Sequence, residues 1–376
     1  MDTAPIRILW LIKGLGPGGA EQLLVSSARV ADHQRFRFST AFVRPDKTRL
    51  VPRLEAEGVS CTLIGAGRWG QYVWPIRMRR LMRRADLVHA HSPLLAGVAR
   101  LLALTIPRSE RPIMVSTEHN MWPRFGRLTR WLNALTAPLD AQRWAVSREV
   151  RESMWPSRRA GAEVLIHGIV TEEAPPSATR ERLRAELEVP PNAVVGITVG
   201  NYRRQKDYPN LLRAARQALD ANPELVFWAV GQGPLEREVF ALHAELGLGD
   251  RFRLLGYRAD VAELLTAADF FCLGSEHEGL PVAVMEAMAA SLPVVATRVG
   301  GVGEAVTEGV SGLLVPRHDA AALATGLLAM AADGPERARM GAAAKQSSAR
   351  FDIRNAMTVQ QDRYQALVSE RGRLSA

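Results

Sequence analysis

Cysteine is scarce in this chain: among 376 residues only Cys61 and Cys272 are cysteines, and both lie in apolar stretches far apart in the sequence. Two distant cysteines exclude a disulfide framework and the paired spacing of a zinc site. Because structural disulfides belong to oxidising compartments, the default expectation is a reduced, cytosolic setting.

Long apolar runs are also missing. None approaches the ~20 residues that a helix needs to cross a bilayer, although 47% of the residues are hydrophobic, which is enough for ordinary globular cores. The N-terminal MDTAPIRILWLIKG contains an acid and lacks a basic segment and a cleavage site, so we expect a first strand there rather than a signal peptide. At about 150 residues per domain, the length predicts two or three domains.

Acidic residues are outnumbered by basic ones, 39 against 48, which gives a formal net charge of +9. Such a charge favours anionic partners. Residues 68–84 contain six arginines, no acid, and interleaved aromatic and apolar residues. Two interpretations stay open: a solvated helix with snorkelling arginines, or a membrane-surface patch in which Arg77–Arg84 supply the charge. Nucleic acid is not expected as a partner, since no recognised nucleic-acid module accompanies the patch.

What the chain does contain is a regular alternation of apolar strands and helices. Such alternation predicts an α/β architecture with parallel sheets and helices on both faces. Residues 171–191, rich in proline, alanine and charge, indicate a boundary, and a second series of about six strand–helix units follows. We therefore predict a Rossmann-like N-terminal domain of residues 1–172, a Rossmann-like C-terminal domain of residues 173–351, and a last helix of about residues 352–376 that packs back on the first domain.

The turn after the first strand is rich in glycine and reads KGLGPGGAEQLL. Gly14, Gly16 and Gly19 fit the G-x-G-x-x-G spacing, but the acid usually found about 20 residues later is not evident. Three interpretations stay open: a dinucleotide site, a tight strand-to-helix turn, or a loop that contacts a phosphate or an acceptor.

Three histidines, His89, His91 and His119, fall at or near the ends of predicted strands. Functional groups of parallel sheets collect at the carboxyl ends of their strands, whereas a satisfied structural histidine is the alternative at each position. His119 is the strongest candidate because it directly follows the apolar run of its strand and opens a loop.

Two glutamates lie eight positions apart in GSEHEGLPVAVME, residues 274–286. A strand, an acidic loop, Pro281 and a helix place Glu278 at a helix N-terminus and Glu286 about two turns further in. Such an N-terminus attracts phosphate, whereas carboxylates suit the hydroxyl groups of a sugar and a ribose. The pattern predicts a site for a nucleotide sugar.

Further loops at strand ends of the second domain are expected to line a cleft between the domains. They contain Asn201, Arg203, Arg204 and Lys206 in the first loop, Gly231 in the second, Tyr257 and Arg258 in the third, and Gly300 and Gly301 after the acidic stretch. The cations of the first loop would suit a leaving diphosphate, whose developing charge needs stabilisation.

These motifs resemble those of family-4-type retaining glycosyltransferases, and the resemblance covers nearly the whole chain. It is carried by the paired glutamates within residues 275–306, QKDYPNLLRA at 205–214, VGQGPLERE at 230–238 and GPGGAE at 16–21. It implies the glycosyltransferase-B fold, in which two Rossmann-like domains face each other across a cleft. It also implies transfer with retention from a UDP- or GDP-type sugar to a hydroxyl acceptor, without a metal or other cofactor.

The resemblance also implies roles for single residues. Glu278 contacts hydroxyls of the donor sugar, Glu286 binds the ribose, and Lys206 neutralises the diphosphate. His119 lines the reaction centre. The remaining implied donor contacts are Gly18 and Gly19 at the diphosphate or sugar, Tyr257 and Arg258 at the base, the amides around Gly279 and Leu280 at the phosphates, and Asn201, Arg203, Arg204, Gly231 and Ser275 in the surrounding loops.

Three positions depart from the family pattern without removing a predicted catalytic group. Asn201 stands where an arginine is usual, and Arg203 or Arg204 would then supply the missing charge. In LIHGIVT, His167 replaces an asparagine and Thr171 or Val170 replaces an aspartate, and ASLP at 290–293 replaces A-x-G-x-P.

Other functions remain compatible with the sequence. A nucleotide-sugar epimerase of the same fold would convert the donor without an acceptor. A non-catalytic subunit of a transferase would be expected to have lost Glu278, Lys206 or His119. For the transferase we expect a cytoplasmic protein, peripheral on the inner face of the membrane, with a lipid-linked glycan of envelope or exopolysaccharide synthesis as acceptor.

Overall fold

The structure, a computed structural model, describes residues 4–170 and 177–375, which form two α/β units. Unit 1 comprises Met1–Val170 and Asp352–Ala376, and unit 2 comprises Thr171–Phe351. The predicted domain boundary between residues 172 and 173 lies outside the described residues, as does Thr171.

Unit 1 is built on a seven-stranded sheet with the strand order β3-β2-β1-β4-β5-β6-β7. Its strands, all parallel to their neighbours, are β1 (Ile6–Ile12), β2 (Phe36–Phe42), β3 (Ser60–Leu63), β4 (Leu87–Ala90), β5 (Ile113–Glu118), β6 (Gln142–Ala145) and β7 (Glu163–Val164). The strand order reverses between β1 and β4, and the crevice at such a point is where open α/β sheets bind ligands.

The helices of unit 1 cover its sheet. They are α1 (Gly19–Val30), α2 (Val51–Ala56), α3 (Gly70–Met82), α4 (Pro93–Leu104), α5 (Arg127–Thr136), α6 (Arg148–Glu152) and α7 (Pro156–Arg159). Helices α3, α4 and α5 lie side by side. Met78 and Met82 of α3 join Ala96 and Ala99 of α4 in one buried cluster with residues of β1 and β4. Helices α3 and α4 therefore share a face of the sheet, and α5 packs beside α4.

Unit 2 has a six-stranded parallel sheet with the order β10-β9-β8-β11-β12-β13. Its strands are β8 (Val194–Val199), β9 (Leu225–Val230), β10 (Phe252–Gly256), β11 (Phe270–Leu273), β12 (Val294–Thr297) and β13 (Gly312–Val315). Its helices are α8 (Ser177–Glu186), α9 (Tyr208–Ala221), α10 (Glu236–Glu245), α11 (Val261–Ala267), α12 (Val282–Ala289), α13 (Val302–Ala305), α14 (Ala320–Ala332) and α15 (Gly334–Ser348). Phe227, Phe252 and Phe270 pack in its core with leucines of α9 and α14.

The last helix, α16 (Ile353–Ser375), belongs to unit 1. The Tyr364 hydroxyl lies 2.5 Å from Nδ1 of the buried His89, whose Nε2 lies 2.8 Å from Oγ1 of Thr117. One turn earlier, Nε2 of Gln360 lies 3.1 Å from Nε2 of His167. Polar contacts to β4 and to the segment after β7 thus fix the position of α16.

These contacts form one hydrogen-bonded chain with a single direction. The carbonyl of Leu165 can only accept, so His167 carries its proton on Nδ1 and donates it there over 3.1 Å. Its bare Nε2 then accepts from the Gln360 amide, whose oxygen accepts from the Tyr364 hydroxyl. Tyr364 in turn accepts from Nδ1 of His89. Each of these linked side chains has a hydrogen-bond partner, which is the condition for such a network to stabilise a fold.

We predict that unit 1 loses stability in mild acid. Burial penalises the charged ring, so the pKa of His167 is lowered to about 4 and that of His89 lies well below its ordinary value. Below about pH 6.5 the unfolded chain binds protons on these rings and the folded unit does not. The free energy of unfolding therefore falls between about pH 6.5 and 4 by up to about 1.4 kcal/mol per pH unit for each ring.

Urea unfolding at a series of pH values measures this slope. Tryptophan fluorescence reports mainly on unit 1, because seven of the eight tryptophans lie there and only Trp228 lies in unit 2. His167→Gln removes one titrating ring and should flatten the slope. An equal slope in the variant and the parent would contradict the prediction.

Among residues 4–170 and 177–375, no helix combines the length and the apolar character needed to cross a membrane.

Candidate functional site

The centre of the candidate site in unit 2 is an ion pair between Lys206 and Glu278. Their Nζ and Oε1 atoms lie 2.6 Å apart, and the side chains are only 15% and 5% exposed. Lys206 ends a 3-10 turn, Arg204–Lys206, that follows β8, and Glu278 lies in the loop after β11. Since β8 and β11 are neighbours in the sheet, their carboxyl ends bring the cation and the acid together.

Two further side chains hold the Glu278 carboxylate. The Ser275 hydroxyl donates to Oε1 over 2.7 Å, and Nε2 of Gln205 donates to Oε2 over 3.2 Å. A carboxylate has about four acceptor positions, so Oε1 is filled by Lys206 and Ser275. One position remains on Oε2, which is where Glu278 can accept a hydroxyl group.

The loops around this pair are joined through their backbones. Glu276 N–H donates to the Gln205 carbonyl over 2.8 Å, which links the loops after β8 and β11. Gly231 N–H donates to the Gly256 carbonyl over 2.8 Å, which links the loops after β9 and β10. Gly231 also passes close to Gly200, because a Cβ at Gly231 would come within 2.0 Å of that carbonyl oxygen. The carboxyl edge of the sheet therefore presents one connected set of loops.

Gly300, in the loop after β12, packs closely against the backbone of Glu278. Its φ of +53° lies in the left-handed region, and a Cβ there would come within 1.9 Å of the Glu278 carbonyl oxygen. The neighbouring Gly301 N–H donates to the Gly279 carbonyl over 2.6 Å. Only glycine has both the conformation and the space for this contact.

We predict that Gly300→Ala lowers the free energy of unfolding of unit 2 by more than about 1 kcal/mol, because it adds both strain and a backbone clash. Gly303→Ala is the matched control, since its Cβ would meet nothing nearer than a side-chain carbon of Arg298 at 3.7 Å. Thermal unfolding followed by circular dichroism compares the two variants. Equal stabilities would show that the loop relaxes around the added methyl group.

The helix beside the site begins later than the sequence suggested. Helix α12 starts at Val282 with Pro281 as its N-cap, so Glu278 lies in the loop four residues before the helix rather than at its N-terminus. Glu286 is half-buried in the second turn of α12, only about one turn from its start. Gly279 and Leu280, the first buried and the second half-buried, lie between Glu278 and the helix.

Arg203 and Arg204 are exposed and line a concavity of about 370 Å³ whose lining includes neither Lys206 nor Glu278. Residues of α9 and α10 also line it, together with Glu276 and His318. The structure brings Lys206 to Glu278 and places these two arginines on the cavity side of the same loop.

The two residues predicted to contact the base differ in how far they are already bonded within the protein. Tyr257 is 46% exposed. Arg258 pairs with Asp260 at 2.6 Å and with Glu186 at 3.3 Å, and the hydrogen bonds that it donates to Asp260 raise its pKa above the ordinary value. Asn201 is half-buried, with its backbone N–H beside Gly231.

In unit 1, His119 is the first residue after β5. Its Nε2 lies 3.1 Å from Nδ1 of His91, the first residue after β4, and burial lowers the pKa of His119 to about 3. His89, by contrast, lies inside β4 and is bound to α16. The structure therefore separates one structural histidine from two that stand at strand ends.

The glycine-rich loop of unit 1 leads into α1. Gly18 is its N-cap, in an extended conformation, and the exposed Gly19 is its first residue. A Cβ at Gly18 would come within 2.3 Å of the Glu21 carboxylate. The N–H of Lys13 donates to the Ser92 hydroxyl over 2.9 Å, which ties this loop to the one after β4.

Gln205 is the site residue that the sequence did not indicate, although its place beside Lys206 in a short turn is a usable signal. Tyr364 and Gln360 were also missed, and nothing local points to them, since His89 and Tyr364 are 275 positions apart. Within the described residues no three His, Cys, Asp or Glu side chains are grouped so as to hold a metal ion.

Two family models match the chain. The model "Glycosyltransferase Family 4" matches residues 17–173, and "Glycosyl transferases group 1" matches residues 179–347. One match lies mainly in unit 1 and the other in unit 2.

Curated relatives match over different lengths. The chain is 30% identical over 344 residues to the 2-deoxystreptamine N-acetyl-D-glucosaminyltransferase of Streptomyces fradiae, which covers 85% of this chain and 80% of the relative. It is 30% identical over 197 residues to the lipopolysaccharide core biosynthesis glycosyltransferase LpsD of Rhizobium meliloti, which covers 52% of this chain and 54% of LpsD. The chain spans only about half the length of LpsD and of several other curated relatives.

Among solved structures, HepE of Anabaena in complex with UDP-glucose superimposes with a TM-score of 0.87 at 21% identity, covering 96% of this chain and 100% of HepE. At this identity the likeness shows the fold, and it confirms the predicted glycosyltransferase-B class.

Proposed function

Since the chain belongs to the glycosyl transferases group 1 family, we propose that it moves a sugar from a nucleotide-sugar donor to a hydroxyl acceptor. The Lys206–Glu278 pair carries the proposal. It lies at the carboxyl ends of parallel strands, where α/β sheets bind ligands. A nucleotide sugar presents a diphosphate next to a ring of hydroxyls, and a cation beside a carboxylate is complementary to both.

Lys206 and Glu278 each keep hydrogen-bonding positions that a nucleotide-sugar donor can use. Lys206 has three N–H donors and the bond to Glu278 uses one, so two can reach diphosphate oxygens. Glu278 keeps one acceptor position on Oε2 for a sugar hydroxyl. The proposed roles are therefore charge neutralisation for Lys206 and sugar positioning for Glu278, with Glu286 of α12 at the ribose and His119 of unit 1 at the reaction centre.

Transfer is proposed to proceed with retention. The acceptor oxygen bonds to the anomeric carbon on the face from which the diphosphate departs. The bond from that carbon to the phosphate oxygen breaks, and this oxygen takes the acceptor's proton. Glu278 is poorly suited to be a nucleophile, because its two carboxylate oxygens already accept hydrogen bonds from Lys206, Ser275 and Gln205.

Metal independence is part of the proposal, because Lys206 can neutralise the charge that develops on the leaving diphosphate. A UDP- or GDP-type donor is proposed, and UDP-sugars are the first to test, since the similar HepE was solved with UDP-glucose. Nucleic acid has no part in the proposal.

The proposed acceptor is a lipid-linked glycan, met at the cytoplasmic face of a membrane. The name of the relative LpsD, a lipopolysaccharide core glycosyltransferase, supports this class of acceptor. The arginine-rich stretch Arg77–Arg84 supports a peripheral position at an anionic surface.

A thermal-shift screen with UDP-, GDP- and ADP-sugars tests the donor, because a ligand that binds only the folded state raises its melting temperature. Sugars of one nucleotide class should raise the melting temperature more than the others do. Turnover with that donor should persist in EDTA. If no nucleotide sugar raised the melting temperature, the proposal would fail. Conversion of the donor to another sugar without acceptor would identify an epimerase instead.

A further inference from the structure

Large apolar side chains are exposed mainly on one part of unit 1. Of the fourteen exposed large hydrophobic residues among those described, ten lie between residues 69 and 139. They are Trp69, Tyr72 and Ile76 in and beside α3, Leu94, Leu101 and Leu104 in α4, Leu128, Trp131 and Leu135 in α5, and Leu139 just after it. We call the surface formed by these ten side chains the three-helix face.

Helical spacing puts these residues in rows. Leu128, Trp131 and Leu135 follow one another at intervals of three and four, as residues on a single side of α5 do. They are 79%, 51% and 64% exposed. Tyr72 and Ile76 are four positions apart on α3 and are 67% and 58% exposed. The opposite sides of these helices are buried, with Met78 and Met82 on α3 and Asn133 and Ala134 on α5, so the rows point outward.

Helix α4 joins the rows of α3 and α5 into one surface. It lies beside both helices. Its contact with α5 is close, because a Cβ at Gly97 would come within 2.6 Å of a side-chain carbon of Leu132. Soluble proteins rarely expose contiguous apolar surface on this scale unless it has a partner.

The charge of this region is strongly positive. Residues 68–139 contain twelve arginines and three acids. The acids are already engaged: Asp86 pairs with Arg7, Glu110 pairs with Arg83, and Glu118 is buried. The exposed surface of the region is therefore basic as well as apolar.

The arginines divide into internal and exposed groups. Arg77 donates to two backbone carbonyls after β3, and Arg79 binds Thr105. Arg68, Arg80 and Arg84 are exposed beside α3, and Arg124 and Arg127 are exposed beside α5. The positive charge therefore extends beyond the arginine-rich stretch seen in the sequence and reaches α5.

We infer that the three-helix face docks on an anionic phospholipid bilayer. Tryptophan and tyrosine favour the headgroup level, leucines bury just below it, and arginines pair with lipid phosphates. A second copy of this chain fits less well, because a two-fold contact would set arginines against arginines. The inference deepens the peripheral position given under the proposed function by naming the surface that docks, and it does not depend on the chemistry of the transfer.

Co-sedimentation of the full chain with vesicles tests the inference. Binding is expected to vesicles of phosphatidylcholine mixed with phosphatidylglycerol, and to be at least about tenfold weaker with phosphatidylcholine alone or in high salt. Leu128→Ser with Leu135→Ser should lower binding about tenfold, because both leucines lose their apolar contact with lipid. These leucines are preferred to Trp131, whose ring packs on Trp155 at 4.6 Å.

Phe240→Ser is the matched control, since Phe240 is 45% exposed on α10 of unit 2. It should leave vesicle binding unchanged, and thermal unfolding shows that each variant is folded. Transfer to a water-soluble acceptor should be unaffected by the double substitution, which separates failure of docking from failure of the proposed function. Absence of anionic vesicle binding, or equal binding by the double variant, would overturn the inference. So would a dimer in solution that the double substitution dissociates, because the face would then be a self-interface.

Discussion

Lys206→Ala is expected to reduce turnover by about 100-fold or more, the loss typical when a group that stabilises developing charge is removed. Lys206 is proposed to face the diphosphate, and its ammonium is held 2.6 Å from Glu278 by the turn after β8. The variant also leaves a carboxylate that is only 5% exposed without its counter-charge. We therefore expect reduced stability as well, with Ser275 and Gln205 still bonded to Glu278. Single-turnover rates at saturating donor measure the effect on chemistry.

Two comparisons make the Lys206 result specific. Lys206→Met keeps the length of the side chain, so a loss as large as that of the alanine variant assigns the effect to charge. Arg203→Ala removes a cation from the same loop, but one that lines the separate cavity. We expect Arg203→Ala to reduce turnover much less than Lys206→Ala does. Equal losses for Arg203 and Lys206, or near-normal turnover of a folded Lys206→Ala protein, would remove the assigned role.

Glu278→Ala should change the affinity for the intact donor and the affinity for its nucleoside diphosphate product by different amounts. The carboxylate is proposed to accept a sugar hydroxyl, so affinity for the intact donor should fall about tenfold, as for a lost hydrogen bond to a charged group. Affinity for the free nucleoside diphosphate should stay the same or rise, because Lys206 loses its competing partner. Isothermal titration calorimetry with both ligands measures the two changes.

Glu276→Ala is the control for the Glu278 experiment. It removes a carboxylate from the same loop, yet Glu276 lines the separate cavity beside Arg203 and Arg204. Donor and diphosphate affinities should both stay near those of the parent. If Glu278→Ala weakened the donor and the diphosphate equally, its action would be on the diphosphate or on the fold, and sugar positioning would be wrong.

The sequence predicted the architecture well because local patterns determine it. Apolar runs such as residues 6–12 became buried parallel strands, and the glycine-rich turns became strand-to-helix loops. The meeting of Lys206 and Glu278 followed from a general rule, since both come just after strands and the carboxyl ends of parallel strands share an edge. Family resemblance then indicated what those residues do, which the pattern alone left open.

Side-chain partners were harder to predict, because they depend on where each side chain points rather than on where its residue lies in the sequence. Arg203, Arg204 and Lys206 lie within four residues, yet only the lysine is bonded to Glu278. Arg258, which is expected at the base, donates its shortest hydrogen bonds to Asp260 two positions away, and the sequence did not indicate this partner. Arg100, in an otherwise apolar helix, is fully buried because Asp140 is buried beside it at 2.5 Å.

The position of α16 has a consequence for synthesis on the ribosome. A growing chain emerges from its N-terminus, and domains generally fold in that order. His89 leaves the ribosome early, but its partner Tyr364 follows 275 residues later, after the whole of unit 2. The first sheet therefore waits with unpaired polar groups at its centre while the second unit is made. The unit that is translated first is the one completed last.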